Sequence, residues 1–230
     1  MAFKIKPLAV AALFAALSVQ AYAATNTLDG DHFTITYDDA VVGLFGMPSL
    51  VNSNLVFGNI GGSPGFSAQT GSGMKFTNST FAFTITADQG YTLSGFNLYE
   101  AGDYAVIGDT SAVVASGQLR VKPVGVSAMT SPIVTTAPLT AKTSFMGYAT
   151  TDWEAHASIN PATALTSATV SIENILGAYV PSAGYAFIEK KNVELGFILS
   201  AVPEPESYAM LLAGLGMMMG VVSRRRNKRS

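Results

Sequence analysis

The chain has 230 residues, 49% of them hydrophobic, with no cysteine and a formal net charge of −2. Lacking cysteine, it is excluded from disulfide frameworks, thiolate zinc sites and thiol nucleophiles. Residues 24–202 carry 6 Lys+Arg against 13 Asp+Glu, a net of −7, which excludes the basic surface that nucleic-acid phosphates require.

Lys4 and Lys6 open the chain, the run PLAVAALFAALSV follows, and Ala21-Tyr22-Ala23 closes it. A positive start, an apolar stretch and an A-x-A site have the grammar of a secretory signal peptide. Residues 1–23 are therefore expected to pass through the Sec translocon, with signal peptidase cutting at Ala21 and Ala23. A buried amphipathic helix would share the apolar run but not that grammar.

Residues 24–202 form the expected ectodomain. About 180 residues suffice for one good core, because domains of this size bury roughly two-thirds of their unfolded surface. HFTITYDD alternates from Phe33 through Ile35 to Tyr37. STFAFTITAD sets Phe81, Phe83 and Ile85 on one face, and YTLSGFNLYE offers Leu93 and Leu98 around a glycine that suggests a bulge. SAVVASGQLRVKPVGV reads as a hairpin or one long bent strand. Residues 127–144, rich in Thr and Pro, read as a long loop or an edge crossover. ATVSIENILGAYV places Val170 and Ile172 together, and GYAFIEKKNVELGFILS reads as two strands with a turn near Lys191 and Asn192. Period-2 runs bounded by Gly, Asn, Pro and Ser are the strand signature. No helical period of twelve residues interrupts them, which predicts a single β-sandwich or jelly-roll-like body.

Two stretches in this body invite chemistry. Asp29, Asp31, Asp38 and Asp39 cluster near the start of the mature chain. Loop carboxylates suit Ca²⁺, although LDGDHF lacks EF-hand spacing and a solvated acidic loop fits equally. Asp103 and Asp109 pose the same question. TDWEAH contains Asp152, Trp153, Glu154 and His156. Glu154 and His156 could do acid–base work, and Trp153 could stack on a sugar. On a strand, Trp153 faces away from the other three, which equally describes a polar face over a buried tryptophan. Hydrolase, zinc-protease, P-loop and dinucleotide motifs do not occur. Asn78-Ser79-Thr80 matches the N-glycosylation pattern.

The tail is the most specific stretch. Pro203-Glu204-Pro205 precedes Tyr208–Val222, fifteen residues without a charge, and Arg224, Arg225 and Arg226 follow with Lys228 and Arg229. A helix over 208–222 would extend roughly 22 Å. The hydrocarbon core is about 30 Å thick, so the span is marginal and a permanent anchor would more naturally be longer. The arginines stay in the cytoplasm and face the ectodomain outward. Gly216 and Gly220 have GxxxG spacing, a weak packing signal in so short a span.

These elements, in this order behind a signal peptide, resemble the PEP-CTERM sorting signal of Gram-negative bacteria. The resemblance covers residues 203–230. It implies recognition by an exosortase, a membrane-embedded transpeptidase-like enzyme that removes the tail near the Pro-Glu-Pro. It also implies passage through an inner-membrane intermediate to the cell surface or matrix, in organisms that make exopolysaccharide. No LPXTG motif, its Gram-positive counterpart, occurs. ITADQGYTLSGFNLYEAGDY and VELGFILSAVPEP are loosely similar to other PEP-CTERM ectodomains. The expected role is non-enzymatic, structural or adhesive. The alternatives are a carbohydrate-binding module, with or without Ca²⁺, and a glycosidase, which needs two carboxylates roughly 5–9.5 Å apart.

Overall fold

The computed structural model describes residues 25–57, 65–144, 149–202 and 210–219. The signal segment, with Ala21 and Ala23, lies outside the described residues. Among the described residues thirteen strands follow one another: β1 (Thr25–Gly30), β2 (Phe33–Asp38), β3 (Pro48–Val51), β4 (Asn54–Phe57), β5 (Ser67–Thr70), β6 (Gly73–Ala87), β7 (Tyr91–Ile107), β8 (Ala112–Pro123), β9 (Met129–Pro132), β10 (Val134–Thr135), β11 (Thr151–Ile159), β12 (Ser167–Val180) and β13 (Tyr185–Ala201). They make two antiparallel sheets. One is six-stranded in the order β1-β2-β6-β12-β8-β9; the other is seven-stranded in the order β10-β11-β7-β13-β4-β3, with β5 also paired to β13. The body is all-β, as its alternation predicts.

Alternation decides which side chains meet between the sheets. Phe81, Phe83 and Ile85 of β6 are buried with Phe33, Ile35 and Tyr37 of β2 and with Val170 and Ile172 of β12. Phe45, Phe57 and Phe66 close the same core from the other side. Phe81 stands at its centre, edge-on to Phe57 at 4.9 Å and tilted against Phe83 at 5.6 Å and Tyr37 at 5.8 Å. Aromatic pairs favour such tilted and edge-on geometries because the positive ring edge meets the negative face.

The long strands change sheets at successive connections. β6 lies in the six-stranded sheet and β7 in the other. The turn between them uses Gly90 at φ 84, a conformation that strains any residue with a Cβ. Residues 127–144 cross over at the edge, as one of their two readings expects. β9 pairs β8 in one sheet, Ile133 donates its N–H to Gly117 at 3.0 Å, and β10 pairs β11 in the other sheet. The rest of this segment is pinned by Thr143 N–H on Val106 O at 2.7 Å and by Lys142 Nζ on Ser111 O at 2.7 Å.

Two bulges reconcile broken alternation with an unbroken core. Ile198 pairs with Gly95 but Leu199 with Leu93, so Ser94 is an extra residue beside the glycine that suggested a bulge. The slip turns Leu93 and Leu98, of opposite parity, onto the same buried face. The second bulge corrects the expected turn near Lys191 and Asn192. β13 runs straight through, with Lys190 opposite Gly102, Asn192 opposite Ala101 and Lys191 unpaired. The physical reason is that β7 continues beside β13 on both sides of that point, so pairing is regained one residue later. Likewise SAVVASGQLRVKPVGV is the one strand β8, turning after Pro123 to meet β9.

Candidate functional site

The aspartates proposed for Ca²⁺ lie around the β1–β2 hairpin and the short helical turn after it. Each is engaged locally. Asp29 accepts from Thr34 Oγ1 at 3.3 Å, Asp38 caps the Ala40 N–H at 2.8 Å, and Asp39 accepts from Asn26. Asp31 lies 3.5 Å from His32, whose ring stacks on Tyr91 at 3.8 Å. Among the described residues no three His, Cys, Asp or Glu side chains converge as a metal-binding group, so the four do not form one ligand set.

The stretch TDWEAH occupies β11. Its alternation puts Asp152, Glu154 and His156 on the solvent face and Trp153 in the core. Trp153 is 4% exposed, and its indole N–H donates to the Glu189 carbonyl at 3.1 Å. It therefore cannot be the sugar-stacking platform raised for it: the ring face is enclosed between the sheets. Glu154 accepts from the Tyr99 hydroxyl at 3.0 Å. Burial and this bond both raise the Tyr99 pKa. His156 lines an open hollow of about 310 Å³ with Asn97, Ser131 and Ser158. A second hollow, of about 340 Å³, holds Tyr37, Asp38 and Thr169. Neither contains two carboxylates.

Gly102 is what brings Trp153 so near the backbone of β13. A Cβ there would lie 1.9 Å from the Glu189 carbonyl oxygen and 2.8 Å from Trp153 Nε1. Backbone cannot yield as a flexible side chain can. Gly102→Ala is expected to lower stability by about 1–3 kcal/mol, as overpacking does, in a urea unfolding curve.

Lys191, projecting from the bulge, reaches Asp103 at 2.7 Å and Glu189 at 3.3 Å. Burial pushes the Asp103 pKa up, but hydrogen bonds from Lys191, Thr150 and Glu189, with the Lys191 charge, together outweigh it and leave a net lowering. Glu189 is raised, by burial first and by its neighbour Asp103.

Sequence reasoning passed over the most unusual group in the molecule. Lys190 and Glu100 are 0% and 1% exposed and paired through Nζ and Oε2. Asn174, equally buried, donates Nδ2 to Glu100 Oε1 at 2.7 Å. The ammonium also lies 5.4 Å from the Phe66 ring and 5.7 Å from Trp153. Burial lowers the Lys190 pKa despite the opposing pull of Glu100. Parity held the signal. Phe96, Leu98 and Glu100 share one phase, as do Ile172, Asn174 and Leu176, and Ile188 and Lys190.

On the outer face of the six-stranded sheet, Phe76 and Met74 of β6 are more than half exposed, and Val114 and Tyr179 about two-fifths. Gly177 pairs with both Phe76 and Val114, and Tyr179 with Met74, so these side chains form one apolar patch over three strands.

The body ends where the tail begins. β13 closes at Ala201, and the Val202 N–H is bonded to the Gly90 carbonyl at 2.7 Å. Pro203, Glu204, Pro205 and Tyr208 lie outside the described residues, as do Gly220, Arg224, Arg225 and Arg226. Residues 210–219 are helical, with Leu211, Leu212, Leu215 and Met217 exposed. Gly216 lies in this helix, and among the described residues no other element comes within 4 Å of where its Cβ would stand. Among the described residues no helix is long and apolar enough to cross a membrane. Residues 201–226 match the family model of the PEP-CTERM protein-sorting motif.

The chain carries a PEP-CTERM protein-sorting motif. No curated protein matches the chain. A PEP-CTERM motif is the recognition signal of an exosortase and directs export to the cell envelope or surface. Here the PEP-CTERM motif starts at the last residue of β13, a strand with paired neighbours on both sides.

Proposed function

We propose that this protein is a non-catalytic structural or adhesive unit of a Gram-negative cell surface or matrix, associated with exopolysaccharide and biofilm. It leaves the cytoplasm through the Sec translocon and loses residues 1–23 to signal peptidase. The short apolar span 208–222 then holds it at the inner membrane until an exosortase acts near Pro203-Glu204-Pro205. One observation carries the reading: the PEP-CTERM match begins at residue 201, where the sandwich ends. Among the described residues the last hydrogen-bonded one of the body is Val202, so cleavage beyond it removes none of the described strands. The exposed apolar helical turns at 210–219 support a transient membrane hold, since apolar side chains in contact with water gain by entering lipid.

The apolar patch of Met74, Phe76, Val114 and Tyr179 supports contact with matrix polymer. Aromatic faces on a flat sheet are suited to sugar rings, which favours the carbohydrate-binding form of this role over one built on Trp153. C-terminal mass spectrometry of protein from the native host's surface is expected to find chains ending near Pro205. Chains retaining Arg224–Ser230 would rule out the sorting step. Phe76→Ser, at an exposed position, is expected to leave folding intact and weaken retention in purified exopolysaccharide. Unchanged retention would exclude this patch.

A further inference from the structure

Glu100, Asn174 and Lys190 come from β7, β12 and β13, and so from both sheets. One carboxylate holds the other two side chains, Asn174 Nδ2 on Oε1 and Lys190 Nζ on Oε2. All three are at most 1% exposed, and Phe66 and Trp153 wall the ammonium. For stability alone this is a poor choice. Apolar side chains of similar volume commonly do as well or better than a buried ion pair. What the arrangement does offer is an amine and an amide held on the two oxygens of one carboxyl group, shielded from water.

We propose that Lys190 Nζ and Asn174 Cγ become joined by an intramolecular isopeptide bond, with Glu100 as the catalytic acid and base. The Lys190 ammonium passes a proton to Glu100, which removes both charges from the apolar interior. Burial favours that transfer, as the lowered Lys190 pKa indicates. The free amine lone pair attacks Asn174 Cγ. Glu100 delivers its proton to Nδ2, with which Oε1 is already in contact, and takes one from Nζ. The C–N bond to Nδ2 breaks as the C–N bond to Nζ persists, and ammonia leaves. The products are one secondary amide, one ammonia and the protonated Glu100, which loses its proton as the ammonia escapes to water. Nothing is oxidised or reduced and no co-reactant is consumed. Proximity supplies much of the acceleration, because folding fixes both side chains on the one Glu100 carboxylate.

The bond would staple the six-stranded sheet to the seven-stranded one at β12 and β13. β13 is also the strand that continues into the PEP-CTERM motif. In an exported chain without cysteine, this supplies the covalent restraint that a disulfide gives elsewhere.

The full chain, purified folded and then denatured, is digested with a glutamate-specific protease. Cuts after Glu173, Glu189 and Glu194 release 174–189 and 190–194 as separate peptides unless they are bonded. The expected product is the two peptides joined, lighter than their sum after loss of one ammonia. Glu100→Gln is expected to yield them unjoined at their sequence masses. Two free peptides from the wild-type chain would overturn the proposal. So would an ammonia loss confined to 174–189, which marks a succinimide at Asn174, and a joined product from Glu100→Gln would remove the catalytic role.

Discussion

Lys190→Met is expected to lower the stability of the sandwich by about 3–5 kcal/mol relative to the chain with Lys190 and Asn174 unlinked, the usual cost of removing one partner from a buried ion pair. Methionine fills much of the volume of the lysine stem, so lost packing is a minor part. The larger part is the Glu100 carboxylate, left at 1% exposure with only Asn174 to satisfy it. The triple variant Lys190→Met, Glu100→Leu, Asn174→Leu is expected to recover most of the loss, because no charge or amide is then stranded in the core. Urea unfolding curves measure both. A covalent link adds its own restraint, so a loss well above this range should accompany the joined peptides. A loss below about 1 kcal/mol would mean that water reaches the pair.

Phe81→Ala and Phe76→Ala, five residues apart on β6, are expected to differ sharply. Phe81 is fully buried and touches rings from the strands and turns on either side of it, so its removal is expected to cost about 3–5 kcal/mol. Phe76 points out of the opposite face at 55% exposure, and its removal is expected to stay within about 0.5 kcal/mol. The same residue type on one strand thus reports two environments. Equal effects would mean that the register of β6 against β12, which pairs Phe81 with Ile172 and Phe76 with Gly177, is shifted.

The two expected results rest on features of different legibility. Phe81 could be assigned to the core from STFAFTITAD, since Phe81, Phe83 and Ile85 share one phase and three threonines the other. The same logic put Trp153 opposite Asp152, Glu154 and His156. It could not say that the tryptophan is enclosed, because a strand face is buried only if a second sheet covers it. The aspartates near the start failed as one ligand set for a related reason. Nearness in sequence at a hairpin leaves each carboxylate to the closest N–H or hydroxyl, as with Asp38 on Ala40 and Asp29 on Thr34.

Local alternation and the order of charge and apolar runs were enough to determine an all-β body and the PEP-CTERM tail, because both are written in neighbouring residues. Strand phase even pointed Glu100, Asn174 and Lys190 inward. Only the tertiary structure decided that the three meet. Residues 74 and 90 positions apart are joined by strand register and by the slip at Lys191, neither of which composition or spacing encodes. Lys190 keeps the phase of Ile188, the bulge shifts the phase of β13 after it, and the antiparallel register of β7 sets Glu100 opposite Val193. The facing sheet then brings Asn174 to the same carboxylate. Long-range pairing of that kind is a property of the packed whole, since the energy that selects it comes from the entire buried face.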